Sequence, residues 1–294
     1  GIIQYAIYGK ENPFNNQLTK EELNVVTASQ LTDLLHELFH YPHSINYYGP
    51  VTMPRIKGQI AKLHFLPASF IPVPASKTFS KISQNANEVL FRDYDMVQAE
   101  VYWVRNTDTY NPDQTASIDV FNNYFGGGMG SVIFQAIRES KALAYSTFAQ
   151  YTSPARKNER YSAIAYVGTQ ADKMKDAIAT MNDLLNVLPE NPSLLINSRQ
   201  SIRQDIAAER IQPQRYISRY LAALKLGLDG DQRKNVYEKI DQVSYPELKR
   251  FDDKYLANKP YTYCIMGSEK KISEKDLQSY GTLKKLSLEQ IFGY

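Results

Sequence analysis

Residues 125–145 read Phe-Gly-Gly-Gly-Met-Gly-Ser-Val-Ile-Phe-Gln-Ala-Ile-Arg-Glu-Ser-Lys-Ala-Leu-Ala-Tyr. The glycines predict a break between two helices, and the residues after them predict a helix and then the start of a strand. Arg138 and Tyr145 stand seven positions apart, which in a helix of about 100° per residue is nearly two turns. The spacing therefore predicts that the two polar side-chain tips point the same way, where both can donate hydrogen bonds to one carbonyl oxygen.

This stretch resembles the second-half signature of the pitrilysin/insulinase-like zinc peptidases, also called inverzincins, which include the mitochondrial-processing-peptidase-like proteins. In that family a glycine-rich turn is followed by a helix with the pattern Arg-Glu-x-x-x-Leu-Ala-Tyr and then a strand. The matching positions here are Gly126, Gly127, Gly128, Arg138, Glu139, Leu143, Ala144 and Tyr145. The resemblance implies that Arg138 and Tyr145 are catalytic and that Gly126, Gly127 and Gly128 form a hinge beside the substrate chamber.

The resemblance also implies how the chain is divided. Residues 85–294 are expected to form one complete second-half domain, and residues 1–65 the carboxy-terminal remnant of a preceding domain of the same family. Residues 66–84 are expected to be the linker, because Pro67, Pro72 and Pro74 disfavour both helix and central strand. On this interpretation the chain is a fragment of a longer enzyme.

The inverted zinc motif His-x-x-Glu-His does not occur in the chain, which has four histidines: His36, His40, His43 and His64. A catalytic zinc site needs about three protein ligands. The resemblance therefore implies no metal in this chain, with zinc on an amino-terminal partner half in the same polypeptide or in a partner subunit. The expected function is the non-zinc half of a zinc-dependent peptidase, inactive alone, that closes the chamber around a peptide substrate. The alternative is a non-catalytic structural or assembly subunit of the same family.

A third hypothesis comes from His36, Glu37 and His40, which match the forward zinc motif His-Glu-x-x-His of a stand-alone zincin. The same segment, residues 26–41, predicts an amphipathic helix whose apolar stripe faces a core and whose histidines face solvent. That stripe consists of Leu31, Leu34, Leu35, Leu38 and Phe39. Only His43 and His64 are close candidates for a third zinc ligand. The favoured interpretation is therefore an amphipathic helix that matches the motif by chance and holds no metal.

The remaining pattern predicts an α+β fold with a mainly antiparallel sheet covered by helices on one side. Strands are predicted at 44–50, 96–105, 144–152, 160–168 and 261–267, the second with Val97, Ala99, Val101 and Trp103 on one face. Helices are predicted from residue 113 or 115, from 171 to before Pro189, and at 193–210, 214–227 and 244–257.

Composition excludes several functional classes. The 34 basic and 31 acidic residues nearly balance and are dispersed, so nothing indicates nucleic-acid binding. No apolar run approaches 18 residues, so no membrane span is expected. The single cysteine, Cys264, lies in an apolar strand and is predicted to be a buried, unreactive thiol.

Overall fold

The computed structural model describes residues 1–64 and 66–294. Within them, six strands form one sheet in the order β3-β4-β2-β5-β1-β6. The strands are Glu88–Asp93 (β1), Gln98–Thr109 (β2), Ser146–Thr152 (β3), Arg160–Gln170 (β4), Thr262–Gly267 (β5) and Thr282–Lys285 (β6). The three pairings from β3 to β5 are antiparallel, and β1 is parallel to both of its neighbours. The predicted α+β class with a mainly antiparallel sheet is confirmed.

Helices connect and cover these strands. They are Ile2–Tyr8 (α1), Lys20–Asn24 (α2), Ala28–Glu37 (α3), Met53–Leu63 (α4), Thr115–Phe125 (α5), Met174–Asn186 (α6), Pro192–Ala208 (α7), Tyr216–Lys225 (α8), Gln232–Lys239 (α9), Tyr245–Tyr255 (α10), Glu274–Gln278 (α11) and Leu288–Phe292 (α12). Across the described residues, none of them is both long and apolar enough to cross a membrane.

The front face of the sheet carries the main core, against α5, α6 and α10. Ala99, Val101 and Trp103 alternate along β2 and are fully buried in it. The indole of Trp103 is also anchored, because its Nε1 donates to the side chain of Asn182 at 2.8 Å. Val97, predicted to share this row, is 74% exposed because β2 begins after it.

The back face of the sheet carries a smaller core beneath α1 and α12. Leu90, Val104 and Cys264 point into it from β1, β2 and β5. Cys264 has no exposed surface, and burial raises the pKa of its thiol. A thiol that stays protonated and out of reach of solvent is unreactive, as predicted.

A buried polar network ties α1 to this sheet. The side-chain amide of Asn106 donates to the carbonyls of Ile7 and Ile82, each at 2.8 Å. The Gln84 side chain completes the network by donating to the Ala6 carbonyl and accepting from the Asn106 backbone N–H. α1 therefore packs as part of the same folded unit as β1 to β6, while the division at residues 65 and 84 stays a prediction.

The apolar stripe of α3 is exposed rather than buried. The side chains predicted to face a core are 53–60% exposed: Leu31, Leu34, Leu35, Leu38 and Phe39. The helix itself forms, because Thr27 and Gln30 make a capping box at its start. The prediction of a buried face is wrong in this chain because no described element packs against it.

The strand predicted at residues 44–50 is also wrong. This segment has no strand pairing, and the hydroxyl of Tyr47 instead accepts a hydrogen bond from the N–H of Val51. A strand needs a partner for its backbone groups, and no described strand lies beside this one. The helix α4 that follows was not predicted.

Candidate functional site

The glycine run starts where α5 meets strand β3. A Cβ on Gly126 would lie 2.0 Å from the carbonyl oxygen of Ala149, so only glycine allows this approach. A Cβ on Gly127 would come within 2.9 Å of the Asn122 carbonyl oxygen, and Gly128 has a φ of +82°. Gly126, Gly127 and Gly128, predicted to form a hinge, therefore form a tight turn. The turn places the next helix beside the edge of the sheet.

The two outer glycines of the run give a matched pair for a test. Gly126→Ala should lower the free energy of unfolding by about 1–3 kcal/mol, because its methyl group overlaps a strand backbone that cannot withdraw. Gly130→Ala should change it by less than about 0.5 kcal/mol, because nothing lies within 4 Å of the added Cβ. Urea denaturation of both variants measures the difference, and equal losses would show that β3 yields to the clash.

Asn122, on the last turns of α5, holds the same strand edge and was not anticipated from the sequence. Its side-chain amide accepts from the Tyr151 N–H at 2.7 Å and donates to the Tyr151 carbonyl at 3.0 Å. The amide therefore makes the two hydrogen bonds that a neighbouring strand would make, and so satisfies part of the exposed edge of β3. It fixes β3, and so the residues that lead into it.

The helix that carries Arg138 differs from the prediction. Residues Phe134–Ser140 form a π-helix, which ends five residues before Tyr145. The chain then reverses at Ala142, whose φ is +48°, and the Leu143 N–H returns to the Ile137 carbonyl at 3.0 Å. Arg138 and Tyr145 therefore do not share a face of one helix, contrary to the prediction from their spacing, because Tyr145 lies in the loop just before β3.

The loop nevertheless brings the two side chains together. The guanidinium carbon of Arg138 lies 6.0 Å from the centroid of the Tyr145 ring and 4.8 Å from that of Phe134. Tyr145 is 77% exposed, and the Arg138 side chain is 44% exposed. Besides these rings, the one polar contact of the Arg138 guanidinium within residues 1–64 and 66–294 is a long 4.0 Å ion pair with Glu139. Its N–H groups are thus available to a ligand.

Both side chains line one open pocket of about 390 Å³ at the end of the sheet. The pocket is also lined by residues from the ends of β2 and β4 and from the start of the helical layer: Gln98, Gly168, Thr169, Gln170 and Lys173. Thr169 donates from its hydroxyl to the Leu143 carbonyl, and Lys173 donates to the Ala142 carbonyl at 3.3 Å. These two bonds hold the loop that presents Tyr145. The pocket offers hydrogen-bond donors facing solvent, which suits an anionic or carbonyl oxygen.

The side chains of the forward zinc motif, His36, Glu37 and His40, do not converge on one point where they could bind zinc. His40 contacts the carbonyl of His36 through its own Nδ1, and the Glu37 carboxylate accepts from the hydroxyl of Tyr41. His43 and His64, the candidates for a third ligand, instead contact each other, with their Nε2 atoms 2.7 Å apart. In the part of the chain that the structure describes, no group of three or more His, Cys, Asp or Glu side chains could hold a metal ion.

Similar folds occur in solved structures. The peptidase M16 inactive domain from Pseudomonas fluorescens is 13% identical, with a TM-score of 0.65 over 97% of this chain and 65% of that chain. A protease from Helicobacter pylori is 14% identical, with a TM-score of 0.62 over 84% of this chain and 61% of that one. The periplasmic protease PqqL from Escherichia coli is 16% identical, with a TM-score of 0.64 over 90% of this chain and 30% of that one. The chain thus spans less than two thirds of the length of each.

Comparison with curated proteins found no match. Residues 55–193 match the family model described as the peptidase M16 inactive domain. The matched segment contains the glycine turn, Arg138, Tyr145 and strands β1 to β4. Residues 55–193 are therefore similar in sequence to the inactive domain of the M16 peptidases, and the solved structures show the same fold over most of the chain.

Proposed function

We propose that this chain is the half of a zinc-dependent peptidase that closes the chamber and stabilises the tetrahedral intermediate of peptide hydrolysis. The observation that carries the proposal is the meeting of Arg138 and Tyr145 at one solvent-open pocket, although the helix between them ends early. Arg138 and Tyr145 are exposed hydrogen-bond donors, and the glycine turn, the π-helix and the loop before β3 hold them together. This arrangement suits the binding of a ligand, because neither side chain is needed for the packing of the core.

In this proposal the zinc ion belongs to the partner half, where its chemistry is to activate a water molecule for attack on a peptide carbonyl. As the water adds, negative charge develops on the carbonyl oxygen. Arg138 donates N–H groups to that oxygen, and Tyr145 donates its hydroxyl. Donors held in place before the reaction stabilise this charge without reorganising, and more strongly once the closed chamber has excluded water.

A second candidate function is a structural or assembly subunit without catalytic residues. The large apolar side chains left exposed between Leu18 and Val73 favour it, because such a surface suits a permanent protein partner. On this alternative Arg138 and Tyr145 contribute nothing to turnover, so substitution of these two residues separates the candidates.

The chain alone should bind no stoichiometric zinc and cleave no peptide, because it lacks the inverted motif and its forward motif finds no third ligand among the described residues. Elemental analysis of the purified chain and a fluorogenic peptide assay measure both properties. Peptide cleavage should appear only when the chain is combined with a zinc-bearing half of the same enzyme. About one zinc per chain, lost in His36→Ala, would instead establish the forward motif as a metal site.

A further inference from the structure

The back face of the sheet is open on its β3 side. α1 and α12 cover the part built from β5, β1 and the end of β2, where Leu90, Val104 and Cys264 are buried. At the other side, Phe148 in β3 is 39% exposed and Gln150 is exposed as well. This face is therefore accessible to a ligand beyond the reach of α1.

Three rings form a row across this open face. The strand register places Phe148 opposite Tyr166, and Tyr166 opposite Tyr102. The ring centroids of Phe148 and Tyr166 are 5.2 Å apart, and those of Tyr166 and Tyr102 are 4.6 Å apart. We call these three residues the aromatic row. Its outermost ring, Phe148, lies on the edge strand and faces solvent.

A carboxylate lies beside the aromatic row. Glu100 is half-buried two residues before Tyr102, and in the next register row it stands opposite Gly168. The register places Glu100 on the same face as Tyr102 and one row from Tyr166, and burial, followed by the nearby Glu100, raises the pKa of Tyr166 to about 12. Burial and Glu100 also raise the pKa of Tyr102.

No ion pair within the described residues includes Glu100. Arg92 shares its register row, two strands away across Met266. However, the Arg92 guanidinium donates to the Leu286 carbonyl instead. The carboxylate of Glu100 thus stands half-buried beside Tyr102 and Tyr166, at the inner end of the aromatic row, without an ion-pair partner among the described residues.

We propose that Glu100 and the aromatic row form a subsite for the cationic side chain, arginine or lysine, of an extended peptide. The carboxylate supplies the counter-charge, and the rings attract the cation through their negative faces. Partial burial strengthens both interactions relative to an exposed carboxylate. A guanidinium suits the site best, because its planar group can stack on a ring and at the same time donate hydrogen bonds to the carboxylate.

The subsite adjoins the pocket of Arg138 and Tyr145. Gly168 lines that pocket, and a Cβ on Gly168 would lie 2.4 Å from the Tyr166 hydroxyl. The same hydroxyl accepts from Ser146, the residue that follows Tyr145. An extended peptide with a carbonyl at Arg138 and Tyr145 can therefore place a nearby side chain at Glu100. The inference rests on the proposed function in naming the substrate, a peptide with a basic residue near the cleaved bond.

Binding of blocked pentapeptides to the 294-residue chain tests the subsite without catalysis. The probes are an alanine peptide with a central arginine and the same peptide with the neutral isostere citrulline, titrated by calorimetry or NMR at low ionic strength. The arginine peptide should bind about tenfold more tightly. Glu100→Gln should reduce this preference below about twofold, and Phe148→Leu should weaken binding of the arginine peptide about threefold.

Glu88→Gln is the matched control, since Glu88 is a half-buried strand carboxylate on the same face, in β1 and away from the aromatic row. It should leave the preference unchanged, and thermal melting checks that each variant is folded. No preference in the unmodified chain, or a preference that survives Glu100→Gln, would overturn the subsite. These outcomes are separate from those for Arg138 and Tyr145, which are judged by turnover in the assembled enzyme.

Discussion

Arg138→Ala should lower kcat about a hundredfold or more in the enzyme assembled from this chain and its zinc-bearing half, with a much smaller change in KM. The reason is that its guanidinium lies in an open pocket and meets negative charge on the substrate only as the carbonyl is attacked. An interaction made mainly in the transition state appears in kcat, whereas uniform binding appears in KM. Tyr145→Phe removes one hydroxyl without changing the ring and should lower kcat by about tenfold to a hundredfold. Steady-state kinetics on a fluorogenic peptide measure both effects.

The chain contains a matched control for this experiment. Arg203 lies over the ring of Tyr237, with its guanidinium carbon 4.3 Å from the ring centroid, on α7 and α9. This pair has the same chemistry but lies outside the pocket of Arg138 and Tyr145. Arg203→Ala and Tyr237→Phe should leave kcat unchanged within about twofold. If Arg138→Ala and Tyr145→Phe behave the same way, the chain is a structural subunit and the catalytic role is lost.

Asp252→Asn should stabilise the chain by about 2–4 kcal/mol at pH 8, with little effect at pH 4. Asp252 lies on the core side of α10, has no exposed surface, and neither carboxylate oxygen has a hydrogen-bond partner among the described residues. Burial, with a smaller contribution from Asp253, raises the pKa of Asp252 from 3.8 to about 7. The native state therefore holds this proton over a pH range in which the unfolded chain has released it.

The sign of the pH effect follows from that difference. Between about pH 4 and pH 7 the native state binds more protons than the unfolded state, so the free energy of unfolding falls as the pH rises. Above about pH 7 the carboxylate is ionised in both states and the loss is complete. Urea denaturation between pH 4 and pH 8 should show this slope in the unmodified chain and a flatter profile in Asp252→Asn.

Asp253→Asn provides the comparison at the next position. Asp253 is about half exposed and pairs with Lys249 at 2.6 Å, one turn earlier on α10. Such exposed pairs contribute about 0.5 kcal/mol, so this variant should keep the pH profile of the unmodified chain. Parallel profiles for Asp252→Asn and the unmodified chain would contradict the assignment of the slope to Asp252.

The sequence predicted the fold where local patterns and packing agree. Strands β2 to β5 and helices α5, α6, α7, α8 and α10 lie within a few residues of the segments that their apolar periodicity indicated. Strand β6 was missed because its four residues, Thr282–Lys285, have no apolar alternation and form a strand only by pairing with β1. The apolar stripe of the α3 segment predicted a buried face wrongly, because burial requires a partner surface and no described element packs against this one.

The resemblance to the family pattern, rather than composition or spacing, singled out Arg138, Tyr145 and the glycines in the sequence, and their catalytic role stays a prediction. How they meet was decided by tertiary structure. Helical spacing was expected to point Arg138 and Tyr145 the same way, whereas a π-helix ends at Ser140 and Ala142 turns the chain back. Contacts distant in sequence stabilise that turn, because Thr169 and Lys173 donate to the carbonyls of Leu143 and Ala142. The sequence by itself determined which groups are available, and only long-range packing, which no local pattern encodes, determined where they point.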